Sequence, residues 1–253
     1  MKIIVNTCNT HLHLVPIFCH LFNKYWGAHQ PVTIIGYNHP NTFSKSFSLP
    51  DNFEFVQLNG GDQQTVNDFS NHMHNYFSTV EDDYFIWVNE DTFLKAPVNF
   101  DIIDTFYEIC EDKANVKIGR IDMTEGMSHR RTSLWKTINE VDVLVNDQDV
   151  EYRVAIQMSI WNKEYLLSYL KPNLNPWAVE LQALRTARND GWDILGTDKE
   201  VGLAVLKNEG VNKNDIHKLN LDGYNGGSPD APDAGGSMDE ETIQEIQEIV
   251  SCY

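Results

Sequence analysis

Long apolar runs, basic residues and paired cysteines are all scarce in this chain. No stretch of about 18 consecutive apolar residues exists, so no segment is expected to span a bilayer. Lys2-Ile3-Ile4-Val5 enters a strand at once. It lacks the apolar core and small-residue cleavage site of a secretory leader, so the expectation is a soluble, cytoplasmic protein. Lysine and arginine number 19 against 37 aspartates and glutamates, a net charge of −18. That field repels nucleic acid phosphates and anionic lipid, which discounts both as partners and argues against stable membrane insertion. It would also oppose a nucleotide's phosphates, so a nucleotide ligand would need a local cation. Cys8, Cys19, Cys110 and Cys252 are scattered and form no Cys-x-x-Cys pair. They read as reduced thiols, not as a disulfide frame or a zinc site. No Gly-x-Gly-x-x-Gly follows a strand, and the Walker A and Gly-x-Ser-x-Gly motifs are missing, so nicotinamide enzymes and serine hydrolases rank low.

What is present is enough for a sizeable core: 253 residues, 42% of them hydrophobic. Strands are expected at 3–5, 32–35, 53–58, 84–88 and 116–121. Helices are expected from Pro16 to Trp26, with Gly27 ending it, along Val66, Phe69, Met73, Tyr76 and Phe77, and along Ile102 to Cys110. This order argues for an α/β fold with a mostly parallel, Rossmann-like sheet flanked by helices. Residues 37–52 read as a loop or lid. After Asp122 the pattern becomes α+β. Met123–Asp149 is irregular, apart from a candidate strand at 141–145. A strand-like run at 152–161, helices at 163–170 and 177–189, and strands at 192–195 and 201–206 follow. Residues 223–237 read as a mobile Gly/Pro/Asp/Ala linker. Residues 238–253 read as an acidic amphipathic helix, either docked on the body or joining a homo-oligomer.

The stretch Tyr84-Phe85-Ile86-Trp87-Val88-Asn89-Glu90-Asp91 stands apart. An apolar strand ending in acids places them at the crevice where open α/β sheets bind ligands. Paired carboxylates there ask for a cation, usually a divalent metal. The plainer reading is a strand followed by a solvated turn.

Five motifs in sequence carry a resemblance: Leu-Phe-Asn-Lys-Tyr-Trp at 21–26, Gly-Gly-Asp at 60–62, Tyr-Phe-Ile-Trp-Val-Asn-Glu-Asp-Thr-Phe-Leu at 84–94, Met-Ser-Ile-Trp-Asn-Lys-Glu-Tyr-Leu at 158–166 and Asn-Pro-Trp-Ala-Val-Glu at 175–180. Together they resemble a small GT-A-type glycosyltransferase, of the kind found among bacterial and phage surface-polysaccharide genes. The resemblance covers about residues 1–222. It implies a GT-A-like domain with a nucleotide-sugar-binding half, 1–121, and a smaller α+β acceptor half, 122–222. It also implies transfer from a nucleotide sugar, UDP-sugar foremost, to a glycan hydroxyl, with Mn²⁺ or Mg²⁺. That family's Asp-x-Asp is replaced here by Asn89-Glu90-Asp91. Asn89 offers only a neutral carbonyl, so Asp91 and Glu90 carry the metal expectation.

Other roles follow by position. Glu180 is the expected base of an inverting displacement, and Trp177, on the adjacent turn, the expected acceptor platform. Thr7, Cys8 and Asn9 would meet the donor's base and ribose. Asp62 would bind the donor or cap the next helix, and Arg120 would offset the diphosphate or pair near Asp122. His217 is a third metal candidate. Zinc at His11 and His13 is disfavoured because no third ligand is suitably spaced. His129-Arg130-Arg131, the densest basic spot, reads as a solvated loop or an anion contact, and Trp87 as core. The rival functions are a non-catalytic carbohydrate or nucleotide-sugar binder and a sugar nucleotidyltransferase. The loop after the first strand lacks the lysine or arginine that a nucleotidyltransferase needs.

Overall fold

The computed structural model describes residues 1–42, 44, 47–63, 65–112, 117–124, 127, 130–198, 203, 205–207, 219 and 238–251. His129, His217, residues 201–202 and the 223–237 linker lie outside the described residues. The strands are β1 (Lys2–Asn6), β2 (Val32–Gly36), β3 (Phe53–Gln57), β4 (Tyr84–Asn89), β5 (Thr92–Leu94), β6 (Ile118–Asp122), β7 (Thr132–Ile138), β8 (Val141–Asn146), β9 (Ser159–Asn162), β10 (Asp193–Gly196) and β11 (Val205–Lys207). The helices are α1 (Val15–Phe22), α2 (Phe69–Thr79), α3 (Phe100–Glu111), α4 (Lys163–Tyr169), α5 (Pro176–Thr186) and α6 (Glu240–Ser251). Among the described residues, nine strands form a sheet ordered β3-β2-β1-β4-β9-β6-β10-β8-β7, and β11 pairs with β5 in a second, two-stranded sheet. The fold is mixed α/β, with a large central sheet and flanking helices. Two compact units alternate along the chain. The first comprises 1–4, 62–88 and 99–202, and the second 5–61, 89–98 and 203–253.

In the first unit, β4 forms because Phe85, Ile86 and Trp87 have nowhere else to go. Each is at most 1% exposed. Phe77 of α2 stacks on Phe85 at 4.7 Å, and Trp87 meets Trp161 of β9 at 6.0 Å. Trp87 is core, as expected. β9 runs antiparallel to both β4 and β6, while β6 and β10 are parallel. The strand expected over 152–161 shrinks to its last residues. Tyr152 has φ +54°, and the buried Arg153 donates to the Ala187 carbonyl and to Asp190, so this segment serves as a loop. β7 lies in the stretch read as irregular. Its residues are half-buried or exposed throughout, which leaves no apolar alternation to read. It joins β8 by the two residues Asn139-Glu140, both at positive φ, as a tight hairpin requires. Helix α5 opens as the sequence implies, with Pro176 in its first turn and the Asn175 side chain accepting from Ala178 N at 2.8 Å.

In the second unit, β2 and β3 pair in parallel. Helix α1 is nearly all apolar and buried. It continues as a wider π-helical turn, Asn23–Gly27, and Gly27 at φ +110° ends it as read. Helix α6 docks in this unit. Thr242 and Ile246 are fully buried. Asp239 caps its first turn by accepting from Thr242 N at 2.8 Å. Lys24 donates to Thr242 Oγ1 and to Glu245 Oε2, both at 2.7 Å.

Ile246→Ala should therefore cost about 2–5 kcal/mol, the usual range for emptying a buried isoleucine site. Hydrogen exchange should show α6 opening first. Unchanged protection of α6 would mean that its burial contributes little.

Candidate functional site

The second unit gathers the loops that leave β1 and β2 together with the acids that follow β4. Thr7 is 3% exposed, and its N–H donates to the Ile35 carbonyl at 2.9 Å. Gly36 permits this approach, since a Cβ there would stand 2.7 Å from Thr7 Cγ2. Asn9 accepts from Asn38 N at 3.1 Å. Glu90 N donates to the Asn6 carbonyl at 3.2 Å. Glu90 and Asp91 are only 3% and 8% exposed, so this is not a solvated acidic turn. Thr92 Oγ1 donates to Asp91 Oδ1 at 3.4 Å, and Asn89 is half-buried.

Burying a carboxylate costs several kcal/mol unless it is paired. Glu90 is paired with His11, whose Nδ1 lies 3.1 Å from Glu90 Oε1. Cys8 completes the group: one ligand atom from each of Cys8, His11 and Glu90 lies within 4.8 Å of the others. The Cys8 thiol and then Glu90 hold the imidazole protonated, pushing its pKa up to about 11. The pairing of His11 with His13 that the sequence suggests is not the one that matters here. His13 is 1% exposed, with its ring edge-on to His11 at 6.2 Å. The partners that matter are Cys8, three residues back, and Glu90, 79 residues on. A Cys-x-x-His spacing in the loop after β1 was the available signal.

The first unit holds the other candidates. Glu180 Oε1 accepts from Ile156 N at 2.5 Å, which fixes the carboxylate's direction. Trp177 is 64% exposed, so it is a surface ring and not core, and Leu181 beside it on α5 is 58% exposed. Asp62 is exposed and does not cap the next helix. Thr65 and Asp68 form that capping box instead. Arg120 is fully buried and takes the second of its two expected roles: Nη2 meets Asp122 Oδ2 at 2.6 Å, Nε meets Ser159 Oγ at 2.8 Å and Nη1 meets the Arg153 carbonyl at 3.4 Å. Three of its five N–H donors are thus spent on the protein.

Arg130 is a further cation that feels the Glu180 carboxylate. Its Nη1 is buried and has no hydrogen-bond partner among the described residues. Burial and the Arg120 charge push its pKa down to about 10, against the pull of Asp122 and Glu180. Arg131 is the solvated member of the basic trio, bonded to Asp149 at 2.6 Å.

No protein-family model matches this chain, and no curated protein matches it significantly. Solved structures do match. A CMP-2-keto-3-deoxy-manno-octonic acid synthetase complexed with CTP is 13% identical over 78% of this chain and 88% of its own, with a TM-score of 0.43. A cytidylyltransferase from Leptospira borgpetersenii is 9% identical over 99% and 95%, at 0.46. The galactosyltransferase LgtC, in complex with donor and acceptor sugar analogs, is 8% identical over 66% and 60%, at 0.38. At these values the likeness carries no argument about this chain's chemistry, which rests on its own residues.

Asp122→Ala would leave the Arg120 guanidinium buried without its partner. The expected cost is about 3–5 kcal/mol in urea unfolding. The double replacement Arg120→Met, Asp122→Leu should lose far less. Equal losses would mean that the ion pair is not what the fold depends on here.

Proposed function

We propose that the protein is a GT-A-type glycosyltransferase that moves a sugar from a nucleotide-sugar donor, a UDP-sugar foremost, to a glycan hydroxyl by single displacement with inversion. A part in building bacterial or phage surface polysaccharide belongs to the same proposal. The observation that supports it most is the withdrawal of Glu90 and Asp91 from water at 3% and 8% exposure, where β4 ends. A ligand-binding crevice is expected at the carboxyl ends of such strands.

In this reading Thr7, Cys8, Asn9 and Asn89 meet the donor's base and ribose, and Asp62 is a further donor-binding residue. Asp91, with Glu90, would hold the Mn²⁺ or Mg²⁺ that the resemblance implies; His217 was a third candidate. Such an ion supplies charge neutralisation to a departing diphosphate. Asp91 offers the oxygen that a hard cation prefers, whereas Glu90 faces an imidazole and a thiol. Glu180, held by Ile156 N–H, takes the proton from the acceptor hydroxyl. The hydroxyl oxygen bonds to the anomeric carbon, the bond from that carbon to the diphosphate breaks, and nucleoside diphosphate leaves. Trp177 offers its exposed face to the acceptor sugar.

UDP should raise the melting temperature of the wild type, and Asp91→Ala should lose that shift. Glu180→Gln keeps an acceptor for Ile156 N–H. It should retain the UDP shift while turnover falls by about 10² or more. Unchanged turnover would remove Glu180 as the base. Pyrophosphate release from a nucleoside triphosphate would make the chain a nucleotidyltransferase, and sugar binding without turnover would make it a binder.

Replacing Trp177 by alanine should raise the acceptor KM and leave donor binding and stability nearly unchanged, because the ring is mostly exposed. A loss of stability would return Trp177 to a packing role.

A further inference from the structure

We infer that Cys8, His11 and Glu90 form a binding site for a borderline-soft divalent cation of the zinc class, distinct in chemistry from the hard Mn²⁺ or Mg²⁺ considered above. The donor set carries the inference. One sulfur, one imidazole nitrogen and one carboxylate oxygen lie within 4.8 Å of one another. Thiolate and imidazole select zinc, cobalt and their neighbours, whereas magnesium and manganese favour sets made of oxygen.

The geometry is near what such an ion requires. With metal–ligand bonds of about 2.0–2.3 Å, tetrahedral ligand atoms stand roughly 3.3–3.7 Å apart. The His11 Nδ1 to Glu90 Oε1 separation is 3.1 Å, a hydrogen-bonded contact slightly shorter than such an edge, so the pair opens only a little to admit an ion. Cys8 Sγ lies on a half-exposed loop, 3.1 Å from Thr10 Oγ1 and within 4.8 Å of the other two ligand atoms. Glu90 is the fixed member, with 4% of its side chain exposed and its backbone N–H bonded to the Asn6 carbonyl. A buried, fixed carboxylate facing a local Cys-x-x-His pair is a preorganised set. On binding, the cation would neutralise the buried Glu90 carboxylate directly. Three protein ligands leave a fourth tetrahedral position for water or a ligand oxygen, the pattern of open zinc sites.

The test uses Co²⁺ as a spectroscopic probe on the full-length protein after exhaustive chelation. It needs neither donor nor acceptor, so the glycosyltransferase reading is decided by the UDP shift and turnover and not by this titration, although both readings use Cys8 and Glu90. One equivalent of Co²⁺ should produce a thiolate-to-cobalt charge-transfer band. Stoichiometric Zn²⁺ should abolish it, and a large excess of Mg²⁺ or Mn²⁺ should not. The near-isosteric Cys8→Ser should remove the band, whereas Cys110→Ser should keep it. His11→Gln and Glu90→Gln should each weaken Co²⁺ binding by at least about tenfold, the cost of losing even an outer-sphere partner. No charge-transfer band in the wild type would overturn the site. So would a band that survives Cys8→Ser, displacement by Mg²⁺, or undiminished affinity in both the His11 and Glu90 variants. The wild-type titration decides the matter even where a variant fails to fold.

Discussion

A carboxylate that the chain cannot leave in water is the constraint on which the candidate site depends. The run Tyr84–Val88 is apolar enough to be buried at every position but its first, and it is followed directly by Asn89-Glu90-Asp91. There are too few residues between the buried strand and the acids for the chain to surface first. Glu90 is drawn in with the strand to 3% exposure, and the cost of that burial demands a cation. In a chain with 19 basic residues against 37 acidic ones, lysine and arginine are scarce. Histidine supplies the partner, from the loop after β1. The scarcity of basic residues and the nature of the site are thus two sides of one fact.

The first unit solves a related problem differently. It buries two arginines, Arg120 and Arg153, each matched by an aspartate and by backbone carbonyls. Such matching is needed because an unpaired buried guanidinium would cost more than the fold can spare. Arg130 is the exception, with one nitrogen left unpartnered among the described residues. Asp122 and Glu180 are the acids whose charge it feels. Two neighbours in the basic run 129–131 thus differ. Arg131 points to solvent and pairs with Asp149, while Arg130 turns inward.

Much of the α/β layout was legible because it is written locally. The apolar runs at 3–5, 32–35 and 84–88, the proline that opens α5 and the Gly27 terminus of α1 each need only neighbours a few residues away, and each element stands where the sequence put it. The misreadings share a cause. β7 has no buried face, so periodicity gave no sign of it. The run at 152–161 looked like a strand because its apolar residues are core, but Arg153 draws its backbone into a loop. The site was legible in part. The burial of Glu90 and Asp91 follows from the strand, but the pairing of His11 with Glu90 spans 79 residues and no local pattern encodes it.

The same reasoning bears on why Asn89 is tolerable. An Asp-x-Asp at this strand end would put acids at 89 and 91, and each would have to share whatever cations the unit can supply. Here position 89 is neutral, and the adjacent acid, Glu90, already has an imidazole 3.1 Å away. The buried charge sits one residue on, at Glu90, in the turn that follows β4 and on the side of the loop after β1. On that side it meets Cys8 and His11 rather than the oxygen donors that an Asp-x-Asp pair would share. The departure at 89 is therefore more than the loss of a ligand. It redirects the negative charge toward nitrogen and sulfur, and with it the kind of cation that this edge of the molecule is built to hold.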